Sequence, residues 1–101
     1  MIENITKEMF RESLKTKFRL NVGTSDPIEL ELVELTESIS TPKHEQFALL
    51  FRGPQNSFLP QMTYHLENEK LGELDLFLVP VGRDQNGVHY EAVFNRFLEG
   101  D

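Results

Sequence analysis

The sequence predicts a mainly β domain, an antiparallel six-stranded roll or barrel-like sheet with one short N-terminal helix. Three observations lead there. From Lys17 onward apolar residues recur with a period of two, the spacing of side chains that alternate between the two faces of a sheet. The alternating runs are short and are separated by Gly, Pro, Asn and Asp, the residues of tight turns. Only the segment before Lys17 carries a helical period instead.

Thr6 suits a helix N-cap, Ile5 and Phe10 stand where a hydrophobic staple needs them, and Met9, Phe10 and Leu14 share a face, so a helix is predicted over residues 6–15. Its Glu8/Arg11 and Glu12/Lys15 pairs contribute only about 0.2–0.5 kcal/mol each. The helix must therefore dock its apolar face, as a lid or plug closing one end of the sheet. Phe18, Leu20 and Val22 alternate with Lys17, Arg19 and Asn21 in a first strand, stopped by Gly23 and the Ser25-Asp26-Pro27 turn. The second strand, 28–37, turns Ile28, Leu30 and Leu32 inward and Glu29 and Glu31 outward. Its phase slips at Val33 and Leu35, which predicts a β-bulge near Leu32 and Val33. Residues 38–45 are polar around Pro42 and read as a loop.

Phe47, Leu49 and Phe51 mark the third strand, which Gly53 and Pro54 end. A long connection from Arg52 to Pro60 leads to the fourth, with Met62, Tyr64 and Leu66 inward and Thr63, His65 and Glu67 outward. After a turn at 69–72, the fifth strand carries Leu74, Leu76 and Leu78 on one face and Phe77, Val79 and Val81 on the other. A strand apolar on both faces is central in a sheet or part of an interface. Asp84 and the Asn86-Gly87 pair mark the last turn, and Val88, Tyr90, Ala92 and Phe94 the inward face of the sixth strand. Arg96 falls on the same inward phase, which predicts the strand's end or a carboxylate partner there.

The chain has 101 residues, no cysteine and a net charge of −7, so one small domain without disulfides or thiolate metal sites is expected. The acidic balance is unsuited to a phosphate backbone, and nucleic acid is not an expected partner. Apolar runs such as Leu76 to Val81 fall far short of the ~20 residues of a membrane helix. Residues 1–10 lack the features of a signal peptide, so no membrane partner and a cytoplasmic location are expected. Residues 1–19 hold five basic against three acidic side chains, which leaves −9 for the remainder. Such segregation favours head-to-tail contact between copies or attraction to a basic partner.

No G-x-S-x-G elbow, G-x-G-x-x-G or phosphate-binding loop occurs, so neither an enzyme nor a cofactor is expected. The sharpest chemical constellation is a polar ladder. In a meander His65 and Glu67, Glu73 and Asp75, and His89 and Glu91 would point away from the core, with His65, Asp75 and His89 as ligands for a divalent cation. Any solvated sheet face alternates in the same way. Phe77 and Val79 share that face, either buried under the helix or presented to a partner. The loop holding Phe58 and Leu59 is a second candidate surface, or a cap over an open barrel end. The partner-binding candidates are therefore Arg52, Phe58, Leu59, Phe77 and Val79.

One series of segments runs through most of the chain: Phe47-Ala-Leu-Leu-Phe-Arg-Gly-Pro54, Phe58-Leu-Pro-Gln61 with Tyr64, Leu71-Gly72, Leu76-Phe-Leu-Val-Pro-Val-Gly82 and Tyr90-Glu-Ala-Val-Phe-Asn-Arg96. It resembles a bacterial family of single-domain proteins of about 100 residues and unknown function. The resemblance implies no established activity, cofactor or catalytic residue. Relatives beside phage-tail-like or tail-collar proteins imply a role in assembly. The expected function is a non-enzymatic protein-interaction or assembly module, accessory to phage-tail-like structures, that binds another protein or, weakly, itself. The alternative is a small-ligand- or metal-binding β-barrel.

Overall fold

The computed structural model describes residues 5–21 and 26–98. Its elements are α1 (Lys7–Glu12), β1 (Lys17–Leu20), β2 (Ile28–Ser40), β3 (His44–Gly53), β4 (Met62–Asn68), β5 (Gly72–Asp84) and β6 (Gly87–Phe97). Every strand pairs antiparallel with its neighbours, and the sheet closes into a barrel in the order β1-β2-β3-β6-β5-β4. The predicted fold class is the observed one.

Bulges bend the long strands around the barrel. Register shifts leave Val33 unpaired between Leu32 and Glu34, where the phase slip predicts it, and recur between Glu37 and Ile39 and between Pro80 and Gly82. β5 is thereby used in two halves. Residues 72–78 ladder with β4, and from Val79 onward the strand ladders with β6.

The interior is filled by the inward phases of all six strands, including Phe18, Leu30, Leu49, Phe51, Leu66, Leu78 and Tyr90. Phe18 and Phe51 meet edge to face with centroids 5.1 Å apart. α1 plugs one end. Its Phe10 is fully buried against Phe47 and Phe94, which stack at 4.8 Å. Arg96 lies over the Phe94 ring at 4.9 Å, pairs with Glu45 at 3.5 Å and donates to the Ile5 carbonyl, so the inward arginine has its carboxylate. Residues 54–61 close the other end. The Leu59 N–H donates to the Tyr90 hydroxyl at 3.0 Å, which donates on to the Ser57 carbonyl, and the Tyr64 hydroxyl donates to the Pro60 carbonyl.

Asn68, buried beneath the β4–β5 turn, ties β4 to β1. Its Nδ2 donates to the Lys17 carbonyl at 2.8 Å and the Thr16 hydroxyl at 3.0 Å, and its Oδ1 accepts from the N–H groups of Lys70 and Leu71. At the opposite end Gly87 has a φ of 141°, and a Cβ there would stand 2.1 Å from the Gly53 carbonyl oxygen. Only glycine fits.

Local boundaries differ from expectation where tertiary contacts intervene. α1 has Thr6 as its N-cap, as predicted, but stops at Glu12. Ser13 bonds back to the Met9 carbonyl, and Lys15 turns to φ 71° so that its N–H reaches the Leu32 carbonyl at 2.7 Å. The predicted loop at 38–45 shrinks to 41–43, because the Thr41 hydroxyl accepts from the N–H groups of Lys43 and His44 and closes a tight turn around Pro42. Met62, expected inward, is half exposed: it is the first residue of β4 and stands at the barrel rim. The proposed end of the first strand at Val22 and Gly23 lies outside the described residues.

Candidate functional site

The outer wall of the barrel has two characters. Over β1, β2 and β4 it is a mosaic of opposite charges. Lys17 stands opposite Glu31 and Arg19 opposite Glu29, while Arg19 also reaches Glu67 at 3.8 Å and Arg52 holds Glu31 at 2.6 Å. Cross-strand pairs of this kind neutralise one another. A shallow groove of about 630 Å³ runs along the mosaic, lined among others by Lys17, Arg19, Glu29, Glu31 and Arg52.

Over β3, β6 and β5 the wall turns apolar. Leu50 pairs with Glu91, which pairs with Val79, and Ala48 pairs with Val93 in the next outward row. Phe77 lies one step further along β5, where the β5–β6 ladder has ended. Phe77 is 51 % exposed and Val93 61 %, and α1 covers neither, since it packs on Phe47 and Phe94 inside the barrel end. The Ala48 methyl is small between its cross-strand neighbours Thr36 and Val93, which leaves a groove of about 220 Å³ that Glu91 also borders. Glu34 and Glu91 flank Leu50 on either side, and neither has an ion pair among the described residues.

The proposed metal trio is not assembled. His65 and Asp75 are direct cross-strand partners with Nδ1 and Oδ1 2.7 Å apart, and the other ring nitrogen lies 2.9 Å from Glu73. His89, by contrast, stands opposite Gly82. Seven residues of strand separate Gly82 from Asp75, about 23 Å at the rise of an extended chain. Hydrogen bonds to Asp75 first and Glu73 second hold the His65 pKa above its ordinary 6.5. Both ring nitrogens are thus engaged by carboxylates of the facing strand. Among the described residues no group of three or more His, Asp or Glu side chains is placed to hold a metal ion.

Compared with known protein families, residues 5–94 match a domain of unknown function, DUF6916. The chain belongs to this family. No curated protein and no solved structure matches it. The DUF6916 match takes in α1, β1 to β5 and β6 as far as Phe94, and hence the whole apolar wall.

The DUF6916 fold distributes the partner-binding candidates over three places. Phe77 and Val79 lie on the apolar wall, and Arg52, the next outward residue after Leu50 on β3, lies at its border with the guanidinium held by Glu31. Phe58 is exposed at the far rim, 6.0 Å below the Arg83 guanidinium. Six residues of β5 separate Arg83 from Phe77, about 20 Å, so Phe58 and Phe77 do not form one surface. Leu59 is a correction. It is buried in the barrel mouth with its N–H held by Tyr90, and it is inaccessible to a partner. Sequence reasoning passed over Glu34, Ala48, Leu50 and Val93. The signal that exposed Phe77, a strand apolar in both phases, is present in β3 and β6 as well.

Proposed function

We propose that this DUF6916 domain is a non-enzymatic protein-interaction module whose docking surface is the outer wall at Phe77, Val79, Val93, Ala48 and Leu50. One observation carries the reading: exposed Phe77 and Val93 stand beside half-buried Ala48, Leu50 and Val79 in adjoining outward rows of β3, β6 and β5, while the wall over β1, β2 and β4 is laced with charge pairs. Apolar groups held in water on a rigid wall supply the core of an interface, and an aromatic such as Phe77 is a suitable anchor within it. We place the module in an assembly role in the bacterial cytoplasm, accessory to phage-tail-like structures. The resemblance carried by the segment series from Phe47 to Arg96 supports that setting.

The test is a pull-down of the tagged protein from lysate of its own host, with mass spectrometry, alongside a Phe77→Glu variant. The variant is expected to fold normally, because Phe77 points out of the barrel, and to lose a partner that the wild type enriches. A folded variant that keeps every partner overturns the reading, and a variant that fails to fold shows Phe77 to be a structural residue.

A further inference from the structure

We infer that the occupant of this wall is a cationic amphipathic helix lying across β2, β3 and β6, with basic residues two turns apart. The inference rests on the wall being the docking surface. Glu34, Leu50 and Glu91 form one row across three neighbouring strands in register. At about 4.8 Å per strand, the two carboxylate positions stand roughly 10 Å apart with Leu50 midway. On an α-helix, residues i and i+7 share a face about 10.5 Å apart, and i+3 and i+4 lie between them. Lys or Arg at i and i+7 therefore meets Glu34 and Glu91, while apolar residues at i+3 and i+4 rest on Leu50 and enter the groove over Ala48. Val79 continues the row on β5 and receives a further apolar residue one turn on.

An extended segment does not match this spacing. Its same-side residues fall about 6.8 Å and 13.6 Å from the first, on either side of 10 Å. Nor is there a free backbone edge at Leu50, since β3 is paired on both sides, so recognition is by side chains. The sign of the charge comes from the unpaired carboxylates. Glu31 nearby is neutralised by Arg52, but Glu34 and Glu91 have no cation among the described residues, in a chain of net charge −7. A second copy does not supply the occupant: α1 has six residues where i to i+7 needs eight, and its apolar residue Phe10 is buried.

The experiment uses a labelled alanine-based helical peptide with Lys at i and i+7 and Leu at i+3 and i+4, together with versions in which both Lys are Gln or both are Glu. Binding is followed by fluorescence anisotropy and mapped by amide chemical shifts. The Lys peptide is expected to shift amides around residues 34, 48–50 and 91–93. Its affinity should fall tenfold or more in a Glu34→Gln/Glu91→Gln protein and at high salt, and the Glu peptide should not bind. Both protein substitutions are near-isosteric and solvent-facing, and thermal unfolding verifies the fold. If the Gln peptide binds the same amides as tightly as the Lys peptide, the cationic partner is refuted while the docking wall stands. If no peptide shifts those amides although Phe77→Glu still loses its lysate partner, the helical occupant is refuted and the interaction module is not.

Discussion

Asn68→Ala should be among the most damaging polar substitutions in this domain. The side chain makes four hydrogen bonds: two from Nδ2 to the Thr16 hydroxyl and the Lys17 carbonyl, and two to Oδ1 from the N–H groups of Lys70 and Leu71. Each is worth about 1 kcal/mol net, and more where a buried partner is left without one. Among the described residues the β1–β4 seam that Asn68 secures has three paired positions, Phe18/Asn68, Arg19/Glu67 and Leu20/Leu66, and Asn68 is itself one of them. The expected loss is about 2–4 kcal/mol, which in a domain of this size lowers the melting temperature by roughly 10–20 °C. Urea unfolding followed by circular dichroism measures it, and hydrogen exchange should show β1 amides losing protection first. A loss below about 0.5 kcal/mol would refute the reasoning, because it would mean that water replaces the amide and that the seam closes without it.

Gly87→Ala should destabilise by about 3 kcal/mol or more in the same urea assay, since the new Cβ meets the backbone oxygen of Gly53 at 2.1 Å and the residue must hold φ 141°. Gly53→Ala should cost less, because its closest clash, at 2.6 Å, is with the end of the Leu30 side chain, which can move. His65 should titrate above 6.5 in an NMR pH series, with the midpoint falling further in Asp75→Asn than in Glu73→Gln. Its folded pKa lies above the unfolded one, so the stabilisation is complete below about pH 6.5 and is lost as pH rises through the folded value. A midpoint at or below 6.5 would show that the paired carboxylates do not hold the proton.

The sequence by itself determined the six strands, the plugging helix and, Met62 apart, the inward faces, because burial imposes a period of two or 3.6 that a single chain displays, while the ends of β2 and β3 in the polar stretch 38–45 had no such period to show them. It also located the bulge at Val33, where a phase slip has no other outlet in a half-buried strand. Register was different. An alternating pattern is unchanged when a strand slides by two residues, so nothing in the residues around His65, Asp75 and His89 says which of them meet. Barrel closure decided it: β5 spends its first half on β4 and its second on β6, which joins Asp75 to His65 and carries His89 to Gly82. The same limit applies to single side chains. Phe58 and Leu59 are adjacent and equally apolar, yet one is exposed and the other seals the barrel mouth, because the Tyr90 hydroxyl fixes the loop at Leu59 from across the fold. The apolar wall is likewise a tertiary product. Each of β3, β5 and β6 carries only two or three outward apolar residues, and they become a surface because the strand order sets those strands side by side.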